Sequence, residues 1–211
     1  MTAVERKKKS EERLASLGIH IVDELPPMEE ESLVVPRTGQ EIAQRILVLT
    51  YLNCVAADSN LQQDVITFLK QESLWENASA EEKRLFEKSQ LSEEDTLKIG
   101  WRGESIWLLL WTINRVDTLD LPASEVNIRD VFERLPAFMS DTRDFIQSAS
   151  IRPLSEILDQ SDFIFRLTWT IHVQSGSTNE MIFNPSIAYE RHYAISWVTS
   201  AHETWDEIPE S

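Results

Sequence analysis

The 211-residue sequence contains a single cysteine, Cys54, and only five glycines. One cysteine cannot form an internal disulfide, and Cys54 lies within the apolar run 46–57, so we expect a buried thiol in a reducing compartment. With so few glycines, no segment matches the glycine-rich phosphate loops of nucleotide-binding proteins or the G-x-S-x-G turn of many hydrolases. The sequence therefore lacks these common catalytic motifs.

Long apolar runs are also missing. No segment approaches the roughly 20 consecutive apolar residues that a membrane-spanning helix requires. Residues 1–17 carry charges where a signal peptide would have an apolar stretch. These absences predict a cytoplasmic protein that makes no membrane contact.

The four histidines are scattered along the chain. His20, His172, His192 and His202 show no spacing typical of metal ligands. We therefore expect neither a metal ion nor another cofactor.

Basic residues are few: 20 lysines and arginines stand against 36 aspartates and glutamates, for a net charge of −16. This charge repels the phosphate backbone of nucleic acids and attracts basic proteins. The basic run Arg6 to Lys9 is the exception: it could indicate an acidic partner, but we interpret it as a solvated first helical turn. A plainer interpretation of the acidity also stays open, in which it only keeps the protein soluble.

Helical periodicity extends along most of the chain and predicts an all-α fold, a single compact multi-helix domain over residues 1–211. An N-terminal helix is expected within residues 1–18, followed by an irregular acidic segment at 19–36. A central apolar helix is expected near residues 104–114, because positions 106–111 are apolar on every side of the helix.

Capping residues predict where other helices begin. Thr38 and Ser79 each begin a capping box, in which the hydroxyl and a glutamate three residues later satisfy free amides. Asn60 and Ser124 are the predicted N-caps of two shorter helices. Further helices are expected at 61–72, 92–114, 141–148, 153–176 and 187–201, with a connection at 177–186.

Charged residues interrupt the most apolar helices, where a buried charge is costly unless it is paired. They form either an internal ion-pair network or a pocket in which carboxylates and a histidine do acid–base work while arginines hold an anion. The i,i+4 spacing predicts that Arg166 pairs with Asp162. Arg191 has apolar neighbours in its own row and needs a carboxylate from another helix, for which Asp159, Asp162 and Glu104 are the candidates. The candidate residues of the network or pocket are Arg102, Glu104, Glu156, Asp159, Asp162, Arg166, Glu190, Arg191 and His192.

The chain contains seven tryptophans. They could form a stacking platform for bases or sugars, but their positions on apolar helix rows favour core packing. We expect Trp205 to fold back after the last helix and anchor the tail. The tryptophans predicted to pack in the core are Trp107, Trp111, Trp169 and Trp197.

An ordered series of short segments extends from Arg6 to Asp206. It comprises Arg6, Ser10, Leu17-Gly18-Ile19, Leu25-Pro26, Arg37, Glu41-Ile42-Ala43-Gln44-Arg45, Trp101-Arg102, Glu104, Leu109-Leu110-Trp111, Glu156-Ile157-Leu158-Asp159, Asp162 to Arg166, Trp169, Glu190-Arg191-His192, Trp197 and Trp205-Asp206. The series resembles the bacterial domain-of-unknown-function family 4272 over nearly the whole chain. The resemblance implies no established activity, cofactor or catalytic residue. The chain departs from the family pattern at Ile171-His172, at Ser196 and after Asp206.

Charge and missing catalytic motifs favour one function over the others. We expect a non-enzymatic, acidic protein-interaction module that binds or neutralises a basic protein, and we expect no nucleic-acid partner. The alternative is a hydrolase or transferase that uses the carboxylate and arginine cluster on a substrate the sequence does not identify. A third interpretation is a scaffold without a distinct site.

Overall fold

A computed structural model describes residues 1–19, 25–174 and 183–207. Within these ranges the chain forms nine α-helices and no strand, so the predicted all-α fold is confirmed. Most of the predicted connection at 177–186 lies outside the described residues. The helices are α1 (Ala3–Ser16), α2 (Gly39–Ala57), α3 (Gln62–Gln71), α4 (Ala80–Glu87), α5 (Glu93–Thr112), α6 (Ile128–Phe132), α7 (Arg143–Gln147), α8 (Leu154–Gln174) and α9 (Pro185–Val198).

Helix α5 lies at the centre of the fold. It packs against α2 on one side and α9 on another, while α9 also contacts α8 and α8 contacts α1. Helices α3, α4 and α7 pack against α2. Ile106, Leu108, Leu109 and Leu110 are fully buried, as expected for the predicted central helix. No helix in the described part of the chain has the length and apolarity needed to cross a membrane.

The predicted capping boxes at Thr38 and Ser79 are both present and begin α2 and α4. Two predicted caps are wrong by a few residues. Asn60 does not cap α3, because Asp58 accepts a hydrogen bond from the Asn60 amide at 3.0 Å and starts a 3-10 turn instead. Ser124 does not cap α6, because Asn127 fills that position and accepts from the Arg129 amide at 3.1 Å.

The tryptophans divide between core and surface. Trp111 and Trp197 are buried, whereas Trp107 is only partly buried. The prediction that Trp169 packs in the core is wrong, since it is 45% exposed. The side chains of its helix row are fully buried at Arg166, but Trp169 and Val173, farther along the same row, are exposed to solvent.

Trp205 folds back onto α9, as the sequence predicted. Its ring is 3% exposed and packs edge-on against Trp197, with 5.5 Å between ring centroids. The Tyr193 hydroxyl donates a hydrogen bond to the Trp205 carbonyl oxygen. These contacts hold the segment after α9 against the core.

Candidate functional site

Asp162 and Arg166 form an ion pair within α8, and neither side chain is exposed. Arg166 Nε donates to Asp162 Oδ2 at 2.9 Å and Arg166 Nη2 donates to Oδ1 at 3.0 Å. Arg166 Nη2 also donates to the Pro26 carbonyl at 2.9 Å. The predicted i,i+4 pair is confirmed, and Arg166 also joins α8 to the chain segment at Pro26.

Arg191 on α9 pairs with Glu104 on α5. Arg191 Nη2 and Nε lie 3.0 and 3.1 Å from Glu104 Oε2, and both side chains are buried. The other carboxylate oxygen of Glu104 accepts a hydrogen bond from the Val126 amide at 2.6 Å. The prediction that Arg191 finds a carboxylate on another helix is therefore confirmed.

A second cross-helix pair joins Arg102 on α5 to Glu190 on α9, with 3.3 Å between Arg102 Nη1 and Glu190 Oε2. The Ser105 hydroxyl donates to the same oxygen at 2.6 Å. Burial raises the pKa of Glu190 even though Arg102 and Ser105 favour its charged form. Burial alone would lower the pKa of Arg102, but the charge of Glu190, together with smaller contributions from Tyr193, Glu82 and Tyr189, raises that pKa.

Asp159 and Glu156 lie nearer the surface at the start of α8. Asp159 accepts from Lys9 Nζ at 2.5 Å and from Arg6 Nε at 3.2 Å, which links α8 to α1. Glu156 lies 3.6 Å from Arg152 Nη1 and is 54% exposed. An exposed pair of this kind contributes little to stability.

His192 is separate from the charged pairs. Its ring packs against Phe165, with 6.0 Å between ring centroids. Burial, with a smaller contribution from the charge on His202, lowers the pKa of His192 to about 4. The imidazole is therefore neutral near pH 7.

Three cavities adjoin the candidate residues at different places. Glu190 lines one of about 330 Å³, Arg102 lines another of about 340 Å³, and Glu156 and Asp159 line a third of about 230 Å³. Arg166 and Arg191 line none of these three. The arrangement of the described residues is thus a set of separate pairs.

Arg45 is an important residue that the sequence reasoning missed. On α2 it donates to both carboxylate oxygens of Glu82, at 2.6 and 2.8 Å, and its guanidinium lies 5.0 Å from the Trp205 ring centroid. The same Glu82 carboxylate closes the Ser79 capping box at the start of α4. The sequence does contain a signal for Arg45, because this arginine interrupts an apolar run in the same way as Arg191.

The described residues contain no group of three or more histidine, cysteine, aspartate or glutamate side chains placed to hold a metal ion. Comparisons with curated proteins and with solved structures find no match. A family model does match, over residues 6–208. The chain therefore belongs to the family described as a domain of unknown function (DUF4272).

Proposed function

We propose that this protein is a non-enzymatic, acidic interaction module that binds a basic protein. The observation that carries the proposal is the surface of α6, where apolar side chains are exposed beside carboxylates. Ile128 and Phe132 are each 43% exposed. They are four residues apart and so share one face of the helix.

Glu125 and Glu133 flank this helix and are both exposed. Within the described ranges, neither carboxylate forms an ion pair with a lysine or arginine. We call Glu125, Ile128, Phe132 and Glu133 the α6 surface. Its combination of apolar and unpaired acidic side chains suits a basic partner that also presents apolar contacts.

The net charge of −16 supports the same choice, because it favours encounter with basic proteins. Much of the positive charge in the core is used internally: the guanidiniums of Arg45, Arg166 and Arg191 are buried against carboxylates. This pairing supports the module over a hydrolase or transferase, which would need some of these groups free for a substrate. The single Cys54 supports placing the module in the cytoplasm, and the resemblance supports a bacterial host.

The test is capture of partners from a lysate of the native cell on the immobilised chain, at salt concentrations from low to high. We expect a basic protein to be retained at low salt and released as the Debye length falls below roughly 10 Å. Glu125→Gln/Glu133→Gln and, separately, Phe132→Ser should each reduce that retention. Labelled duplex DNA should not shift in a gel at low salt.

A matched control distinguishes the effect of the α6 surface on binding from the effect of the total charge. Glu12→Gln/Glu76→Gln removes the same charge from side chains that are 69% and 86% exposed on other elements. The control should retain the partner. Equal losses in the two double variants would contradict a role for the α6 surface, and tight DNA binding would contradict the proposal as a whole.

A further inference from the structure

The cavity of about 230 Å³ lies between α1, α5 and α8 and is lined by several side chains that carry hydrogen-bond donors. Arg6, Lys9, Ser10 and Arg13 lie along one side of α1, since they are spaced three, four and seven residues from Arg6. Trp111 of α5 also lines the cavity. This basic surface occurs in a protein whose net charge is −16.

Several of these donor groups make no hydrogen bond in the part of the chain that the structure describes. Ser10 is 4% exposed and Trp111 is 7% exposed, yet neither the hydroxyl nor the indole N–H makes a hydrogen bond within the described ranges. The two terminal nitrogens of Arg6 are buried without a hydrogen bond in that part of the chain, but Arg6 Nη2 lies 3.8 Å from Glu31 Oε2 and Nε donates to Asp159, so Arg6 is already ion-paired. The Ser10 hydroxyl and the Trp111 indole N–H are therefore free to donate to a ligand in the cavity.

Arg13 supplies a positive charge that no described carboxylate neutralises. Its guanidinium lies 3.9 Å from the centroid of the Phe163 ring, and this stacking leaves the edge of the fork free for a bidentate contact. Arg13 is exposed as a whole, although partial burial lowers its pKa. The two carboxylates that line the cavity are already used, because Asp159 pairs with Lys9 and Glu156 pairs with Arg152.

We propose that this cavity binds an oxyanion, the carboxylate or phosphate group of a small organic ligand. Arg13 would hold two oxygens with its fork, while the Ser10 hydroxyl and the Trp111 indole N–H would each donate to one. Phe163 and the Trp111 ring provide apolar walls for the rest of the ligand. The cavity is smaller than the roughly 300 Å³ or more typical of drug-sized sites, so it suits a compact anion.

The experiment is a titration of the full ¹⁵N-labelled chain, at constant ionic strength, with inorganic phosphate, phenyl phosphate and benzoate in separate arms. The observed signal is the Trp111 indole N–H, assigned with Trp111→Phe. We expect a saturable shift in at least one arm, and the arms distinguish phosphate from carboxylate. If no arm gives a saturable shift at millimolar concentrations, the proposal is overturned.

Variants then test the contacts. Arg13→Gln should weaken binding by about tenfold or more, because it removes a charge-assisted bidentate contact, and Ser10→Ala should weaken it by about threefold. Lys8→Gln is the matched control, since it removes the same charge from α1 at a side chain that is 77% exposed; its affinity should be unchanged. Equal affinity in the Arg13→Gln and Lys8→Gln proteins would contradict the site.

Arg13→Lys and Ser10→Ala keep the test valid if Arg13→Gln does not fold. Arg13→Lys retains the charge but loses the planar fork, so its affinity should fall between those of the parent and Arg13→Gln. Unchanged affinity in both Arg13→Lys and Ser10→Ala would also overturn the proposal. The titration uses no protein partner, so its result is independent of the function proposed for the α6 surface.

Discussion

Arg191 on α9 and Glu104 on α5 are 4% and 2% exposed, and two guanidinium nitrogens of Arg191 lie within 3.1 Å of a single Glu104 oxygen. The second Glu104 oxygen accepts from the Val126 amide, so the carboxylate is used on both sides. The pair thereby joins the central helix, the last helix and the segment that leads into α6.

Removing one partner of this pair should be much worse than removing both charges. Arg191→Met leaves the buried Glu104 charge uncompensated and should lower the free energy of unfolding by about 3–5 kcal/mol. Arg191→Met/Glu104→Gln keeps an acceptor for the Val126 amide and should recover much of the loss. Urea denaturation of the three proteins measures both effects, and equal destabilisation of the single and double variants would show that the charge is not the cause.

Two glycines should respond in opposite directions to substitution by alanine. A Cβ on Gly39, at the start of α2, would lie 2.3 Å from the Ala149 carbonyl oxygen, which is backbone and cannot easily move. Gly39→Ala should therefore lower the free energy of unfolding by about 1–3 kcal/mol. Gly100 is an exposed position of α5 with nothing near its Cβ position, so Gly100→Ala should raise stability by about 0.5–1 kcal/mol.

The melting temperatures of the parent and of both glycine variants, measured in one buffer, test this prediction. A Gly39→Ala protein as stable as the parent would mean that the contact between α2 and the backbone near Ala149 is looser than described.

Local spacing made some of the ion pairs predictable. Arg166 and Asp162 lie one turn apart on α8, so the sequence alone identifies both partners. For Arg191 the sequence predicts a carboxylate from another helix and leaves Asp159, Asp162 and Glu104 as candidates, because the choice of Glu104 depends on how α5 and α9 pack. The nine candidates were grouped by their charge and apolar surroundings, and the fold distributes them among separate pairs.

Other features required tertiary information. Arg45 and Glu82 are 37 residues apart and meet only because α4 packs on α2. Trp169 lies on the same row as the buried Arg166, but a row is buried only as far as a neighbour covers it. The residues that line the cavity around Ser10 come from three helices, so no local pattern predicts that they share it.

His192 should make stability depend on pH. Its pKa falls from 6.5 in the unfolded chain to about 4 in the folded protein, so the unfolded state binds more protons between these values. The contribution is present above pH 6.5 and is lost as the pH falls toward 4, by up to about 3 kcal/mol. Urea denaturation of the parent and of His192→Gln from pH 4.5 to 7.5 should show a smaller slope in the variant.

His172 provides the control for this pH dependence, because it is exposed. His172→Gln should leave the slope close to that of the parent. A slope that is unchanged in His192→Gln would mean that other groups produce the acid sensitivity.

The burial of two tryptophans on neighbouring helices predicts very different costs of removal. Trp197 is 6% exposed and packs against Trp205 and the Arg37 and Arg45 guanidiniums, so Trp197→Ala should lower the free energy of unfolding by about 3–5 kcal/mol. Trp169 is 45% exposed, and Trp169→Ala should cost less than about 1 kcal/mol. Chemical denaturation followed by circular dichroism compares the two without relying on tryptophan fluorescence. A large loss of stability in Trp169→Ala would show that this part of α8 is covered in solution. Trp169 would then be a core residue, as its helix row predicts.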